Sequence, residues 1–331
     1  MEIKNLVRRF CDYSTYIRGY SQDTIRRYHQ TMGYFSRTSN ITEIEEITME
    51  KVRNFFFQGR AMMGWSSNSF ITYHKTLAVF FRWCVQEGVM NQNFTDEIEL
   101  PKLEKKLPSK LTKQQTLKIL EIVYNYPYEY PFLRFRNYAI FATFILAGLR
   151  RKELLNLKVT DVDLENMSIF VRQGKGGKDR VVPICYKLAE SLEKYLAERK
   201  RLKRTCAEFF VSLNHNMGFT ENGLKHLVED IKRASGIKFS VHKLRHTFAT
   251  LMLEGGCDIF SLSKMMGHSD IKTTTIYLAA SVEHLRSQIS KHPLNSLKAD
   301  SQKLIFRGQP AWPSLANSAD RPWSSEYPYG P

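Results

Sequence analysis

One segment of this chain has to be buried. Residues 131–147, PFLRFRNYAIFATFILA, are apolar on almost every face of a helix, and such a helix sits inside a domain rather than on its surface. Whatever surrounds it must supply amphipathic partners. On its N-terminal side, Thr112 and Gln115 have the spacing of a capping box, which predicts a helix to about Tyr124. On the other side Gly148 ends the run, and Leu149-Arg150-Arg151-Lys152-Glu153 opens another helix. Arg150 and Glu153 stand at i and i+3, so the carboxylate can hold the guanidinium, as many surface ion pairs do. Further on, Ser168–Gln173 and Arg180–Ile184 are rich in β-branched residues and predict a hairpin. Its turn, G-K-G-G-K-D, is no phosphate-binding P-loop, because no helix follows and Asp179 stands where Ser or Thr is needed. Helices are predicted over 186–201 and 220–234, with a basic run at 198–204 that is either a phosphate-facing surface or a solvated helix end.

Ahead of this domain, residues 1–98 read as a bundle of four amphipathic helices. Ser21, Thr48 and Ser66 or Ser67 are the candidate N-caps, and Gly88 is the stop. Residues 99–110, with two prolines, alternating charge and no periodicity, read as a linker. The second domain then covers 111–295, and 296–331, rich in Ser, Pro, Gly and Trp, read as a disordered tail. The fold class is mainly α with a small β-hairpin or sheet.

Charge narrows the partner. A formal net charge of +16 argues for a polyanion. No apolar run approaches the ~20 residues that span a bilayer, and the N-terminus lacks a signal core, so no membrane partner and a cytoplasmic, nucleoid-associated location are expected. Five scattered cysteines read as reduced, buried thiols.

The chemistry gathers in residues 240–277, SVHKLRHTFATLMLEGGCDIFSLSKMMGHSDIKTTTIY. Ser240 caps a predicted helix to about Glu254, which places His242 and Arg245 on one face. Gly255-Gly256 ends it, a second helix spans 259–266 and stops at Gly267, and Tyr277 lies in a third that begins near Ile271. There is no Cys pair and no carboxylate at metal-ligand spacing. H-K-L-R-H also lacks the glutamate of H-E-x-x-H, so His246 reads as core or as support behind the site. What remains is a cation, two imidazoles and a phenol, a set suited to attack on a phosphodiester.

H-K-L-R-H, G-H-S and T-T-T-I-Y at this spacing, preceded by G-L-R-x-x-E and G-K-G-G-K-D-R, resemble the tyrosine recombinase (phage integrase) family over roughly residues 1–295. The one departure is Leu278-Ala279, where Thr-His is common. The resemblance implies a helical core-binding domain followed by an α+β catalytic domain. It implies six catalytic positions: Arg150, Lys175, His242, Arg245, His268 and the nucleophile Tyr277, with Glu153 supporting Arg150. Tyr277 would attack phosphorus and displace a 5′-hydroxyl, leaving a 3′-phosphotyrosyl link. His242 would accept the phenol proton, both arginines and His268 would hold the non-bridging oxygens, and Lys175, mobile in its glycine turn, would protonate the leaving oxygen.

No metal, ATP or other cofactor is implied. The partner is double-stranded DNA, with self-association into a dimer or tetramer through a helix at 282–292 and accessory DNA-binding proteins as further partners. The expected activity is site-specific recombination: integration, excision or dimer resolution. No arm-site domain is expected before the bundle. The competing readings are a type IB-like topoisomerase and a non-catalytic DNA-binding regulator.

Overall fold

The structure, a computed structural model, describes residues 1–103, 109–172, 179–268 and 270–280, with backbone only at 279 and 280. Lys175 with its glycine turn, the helix expected at 282–292 and the tail expected from 296 all lie outside the described residues. The chain divides into two compact units, Met1–Lys106 and Leu107–Pro331.

The first unit is helical: α1 (Ile3–Tyr16), α2 (Gln22–Thr38), α3 (Met49–Ala61) and α4 (Ser67–Gln86). Along α1 the buried apolar positions are Ile3, Leu6, Val7, Phe10 and Cys11, the i, i+3, i+4, i+7 stripe of an amphipathic helix. Thr48 and Ser66 cap α3 and α4 by accepting the amides of Lys51 (3.2 Å) and Ser69 (3.1 Å). Ser21 occupies the N-cap of α2 without capping it; its hydroxyl is paired with that of Thr24 at 3.1 Å. The core is rich in aromatics, with Phe35 edge-on to Phe55 (centroids 5.0 Å apart), and partly buried Trp65 and Tyr73 stack on each other against it (4.3 Å).

The second unit is built round α6 (Pro131–Leu146), preceded by α5 (Lys113–Asn125). Phe132, Ile140, Phe141 and Phe144 of α6 have no exposed surface. The capping box that starts α5 is formed: Thr112 Oγ1 accepts the Gln115 amide at 3.1 Å, and the Gln115 side chain accepts that of Thr112 at 3.0 Å. After α7 (Arg151–Leu155) comes an antiparallel sheet in the order β1 (Val162–Asp163), β2 (Ser168–Val171), β3 (Arg180–Pro183), with Ile169 opposite both Val162 and Val182. β2 and β3 begin where the sequence predicts and end earlier, at Val171 and Pro183, with Gln173 and the turn outside the described residues; β1, two residues long, carries too little pattern to read in advance.

Then follow α8 (Tyr186–Arg201), α9 (Glu221–Ser235), α10 (Val241–Glu254), α11 (Ile259–Met266) and α12 (Lys272–Ala280). α6 packs chiefly against α8, α5 and α10. A small apolar cluster of Phe248, Ala249, Leu253, Leu262, Met266 and Tyr277 joins α10, α11 and α12.

One expectation needs correcting. Only Cys11 and Cys84 are buried thiols, and burial lifts them to about 11 and about 12. Cys206 and Cys257 are half-buried, and Cys185 is exposed because it sits at the N-cap of α8, outside the packed turn.

Candidate active site

The site assembles at the C-terminal end of α11. Gly267 adopts φ +62°, which stops the helix, and the amides of Gly267 and His268 fold back onto the carbonyls of Lys264 (3.0 Å) and Ser263 (3.1 Å). The next three carbonyls, those of residues 265–267, lack a helical donor and sit at the negative end of the helix dipole. Each takes a guanidinium. Arg180 Nε donates to Met265 O at 2.7 Å, Arg245 Nη2 to Met266 O, and Arg150 Nη2 to Gly267 O at 2.8 Å.

A single carboxylate answers these three cations. Glu153, whose side chain is 6% exposed, accepts Arg150 Nη1 (2.7 Å), the Arg150 amide (2.7 Å) and a bidentate pair from Arg180 (2.8 Å each). Arg245 Nη1 lies 3.8 Å from it and also donates to Gly148 O. Burial alone would raise the Glu153 carboxyl; the hydrogen bonds and charge of Arg180, with those of Arg150, instead bring it down to about 2. Three guanidiniums and one carboxylate leave a surplus of two positive charges. For Arg245, burial and then the neighbouring Arg150 charge lower the guanidinium to about 10.

His268 follows directly. Its Nδ1 is 2.7 Å from Thr274 Oγ1 on α12, and its Nε2 is 3.4 Å from Arg245 Nη2. Tyr277, one turn beyond Thr274, is 2% exposed. Its hydroxyl is 2.7 Å from His246 Nδ1, the rings tilted at 49°. Burial raises the phenol, while Arg245 and Arg150 pull it the other way. His246 lies at i+4 from His242 on α10, which Ser240 caps by accepting the Lys243 amide at 3.1 Å. Both imidazoles are held below their ordinary value: His246 by burial, His242 and Arg245; His242 by partial burial, Arg151, Arg245 and Arg150.

Arg150, Glu153, Arg245, His268 and Tyr277 are therefore gathered, and His242 stands exposed on the same helix within the field of the arginines. Two members differ from the sequence reading. His246, which the sequence places in the core or behind the site, is the hydrogen-bond partner of the phenol. Arg180 is a member that the sequence reading does not include; its place at the start of β3, at the end of G-K-G-G-K-D-R, is the signal that could have found it. Among the described residues no three His, Cys, Asp or Glu side chains cluster as a metal site.

The family model described as "Phage integrase family" matches residues 109–284. The chain is 34% identical over 285 residues to tyrosine recombinase XerA of Thermococcus onnurineus, covering 85% of this chain and 93% of the relative. It is 33% identical over 283 residues to tyrosine recombinase XerD of Listeria monocytogenes, covering 83% and 94%. Among solved structures it resembles XerH site-specific recombinase bound to a palindromic difH substrate in a post-cleavage complex (23% identity, TM-score 0.65, 85% of this chain and 82% of that one). A lambda integrase dimer bound to a COC′ core site matches at 20% identity and TM-score 0.65, over 84% of this chain and 77% of the other. With that match over more than half its length, and with relatives that align along most of the chain, this protein belongs to the phage integrase family of tyrosine recombinases.

Proposed function

We propose that the chain is a site-specific DNA recombinase that cuts and rejoins strands through a 3′-phosphotyrosyl intermediate. The observation that carries this reading is the surplus of positive charge at the end of α11, set beside a tyrosine whose hydroxyl already has a proton partner. Two unit charges of excess suit a scissile phosphate, whose own charge grows as the fifth oxygen ligand arrives.

In this reading Arg150 and Arg245 bind the non-bridging oxygens. His268, oriented through Thr274, adds a hydrogen bond to one of them. His242, exposed at the N-terminal end of α10, meets the phosphate from the open side. Tyr277 attacks phosphorus, and Lys175, outside the described residues, gives the departing 5′ oxygen its proton. The energy of the broken phosphodiester is kept in the phosphotyrosyl bond, so rejoining to a second 5′-hydroxyl needs no nucleotide.

The net charge of +16 supports duplex DNA as the partner. The proposal includes assembly into a dimer or tetramer on DNA through the helix at 282–292, and accessory DNA-binding proteins that set the outcome. No helix among the described residues is long and apolar enough to cross a membrane.

The test is a nicked suicide duplex that carries the recombination site. The wild-type chain should form a denaturation-resistant adduct, and Tyr277→Phe should bind the same duplex with no adduct. An adduct formed by Tyr277→Phe would refute the assignment. Segment exchange in a two-site plasmid, rather than relaxation alone, separates recombinase from topoisomerase.

A further inference from the structure

We propose that His246, rather than His242, takes the proton from Tyr277 when the phenol attacks. This rests on the recombinase reading above and adds a catalytic residue to it. A general base must first lie within hydrogen-bond reach of the proton it abstracts. His246 Nδ1 is 2.7 Å from the hydroxyl that reacts, whereas His242 is one turn away and exposed to solvent. Tyr277 is almost wholly enclosed, packed with Phe248, Leu262 and Met266, so in the free chain its hydroxyl meets a protein group, the His246 imidazole, rather than bulk water.

The surroundings also explain why the free chain keeps its phenol protonated. The groups whose charge reaches His246 are His242 and Arg245 on its own helix; from α12 it faces the Tyr277 hydroxyl. Together with burial they keep the imidazole neutral, which leaves Nδ1 free to accept, but they also make an imidazolium costly. A bound phosphate changes that balance, because its negative charge offsets the Arg245 guanidinium.

The step then balances. The bond from Tyr277 Oη to phosphorus forms, and the phenol proton passes to His246 Nδ1, giving an imidazolium. The bond from phosphorus to the 5′ oxygen breaks, and that oxygen is protonated by Lys175. On rejoining, a 5′-hydroxyl attacks and loses its proton to Lys175, while His246 returns the proton to the departing phenolate.

The experiment isolates nucleophile activation by using a 5′-bridging phosphorothiolate in the nicked duplex, whose sulfur leaves without a proton. Single-turnover adduct formation is followed across pH for wild type, His246→Gln, His246→Ala and His242→Ala, with DNA binding and thermal melting as checks on folding. The wild-type rate should fall on the acid side as His246 is protonated. For His246→Gln it should drop about 100-fold near neutrality, lose that acid limb and climb steadily towards the phenol range. Added imidazole should restore part of the rate in His246→Ala.

A His246→Gln profile of unchanged shape, at any rate, would overturn the proposal, and so would loss of the acid limb in His242→Ala instead. Should the His246 variants fold poorly, a fluorinated tyrosine at position 277 of the otherwise wild-type chain keeps the question open to measurement. Its more acidic phenol should leave the midpoint of the acid limb where it is, because the imidazole sets it, and a limb that moves down in pH with the phenol counts against His246. A wild-type chain that forms no adduct would instead bring down the recombinase reading, and this proposal with it.

Discussion

The two units bury different things. In the first, the buried polar side chains among the described residues are four hydroxyls, Ser14, Thr31, Thr76 and Thr95, set among aromatics. In the second, Arg136, Asp161, Arg199 and Arg245 are buried, and the Glu153 side chain is nearly so. Buried charge is a poor way to stabilise a fold, since desolvation offsets much of the attraction. Its presence in one unit alone therefore marks work other than stability, and the partners show which work.

Arg199 donates to the carbonyls of Arg204, Cys206, Glu208 and Phe209 and so pins one loop. Arg136 bonds Asn137 and the carbonyl of Val211, with its guanidinium 4.3 Å over Phe219. Arg245 alone is brought together with two further guanidiniums around one carboxylate. The first two hold backbone; the third keeps positive charge in excess where a substrate can use it.

The sharpest way to break this distinction is Arg245→Ala. Loss of one preorganised charge at a phosphorane should slow adduct formation about 10³-fold, with a much smaller change in DNA affinity, measured by single-turnover cleavage and by titration. A fall of less than tenfold in a folded variant would class Arg245 with Arg199, as a structural guanidinium.

Next in size is the carboxylate. Glu153 titrates near 2 when folded, below the ordinary carboxylate value. A depressed value of this kind contributes stability that is complete above the unfolded value and is lost as pH falls from there towards 2. The shift corresponds to about 3 kcal/mol. Glu153→Gln should therefore lower the melting temperature of the second unit by roughly 10 °C near neutral pH. The gap from wild type should close as pH falls from about 4.5 towards 2. Hydrogen exchange resolved by segment is the measurement, and the first unit, with no buried carboxylate of this kind among its described residues, should not respond. Equal loosening of both units in that acid window would break the comparison.

Much of this was legible in one dimension because its causes are local. Caps at Thr48, Ser66, Thr112 and Ser240, the stop at Gly267 and the pairing of Arg150 with Glu153 are all settled within four residues of chain. The buried stripe of α6 was legible from composition. Arg180 and His246 were not, for a shared reason: their roles are set by residues 27 and 31 positions away, Glu153 and Tyr277. A helix carrying His242, Arg245 and His246 in two turns offers two imidazoles to one phenol, and only packing against α12 decides which meets it. The buried charge of Arg136 was equally hidden, since its acceptor, Val211, is 75 residues on.

The finest test uses two glycines. Gly148 has φ +61°, gives its carbonyl to Arg245, and a methyl group there would stand 2.2 Å from the Phe248 ring. Gly236 has φ +68° at the end of α9 with nothing within 4 Å. Ala at either position must hold a left-handed conformation, at about 1 kcal/mol. Gly236→Ala should lose that much and cleave at the wild-type rate. Gly148→Ala must also push Phe248, and with it the turn of α10 that carries Arg245, so about 2–3 kcal/mol should go and cleavage should slow by roughly tenfold. Denaturant unfolding and single-turnover cleavage of both variants give the comparison. Cleavage at the wild-type rate in Gly148→Ala would mean that the guanidinium does not depend on the close approach of α6 to α10. The Arg245 charge would then be held in place by Glu153 and the Met266 carbonyl alone.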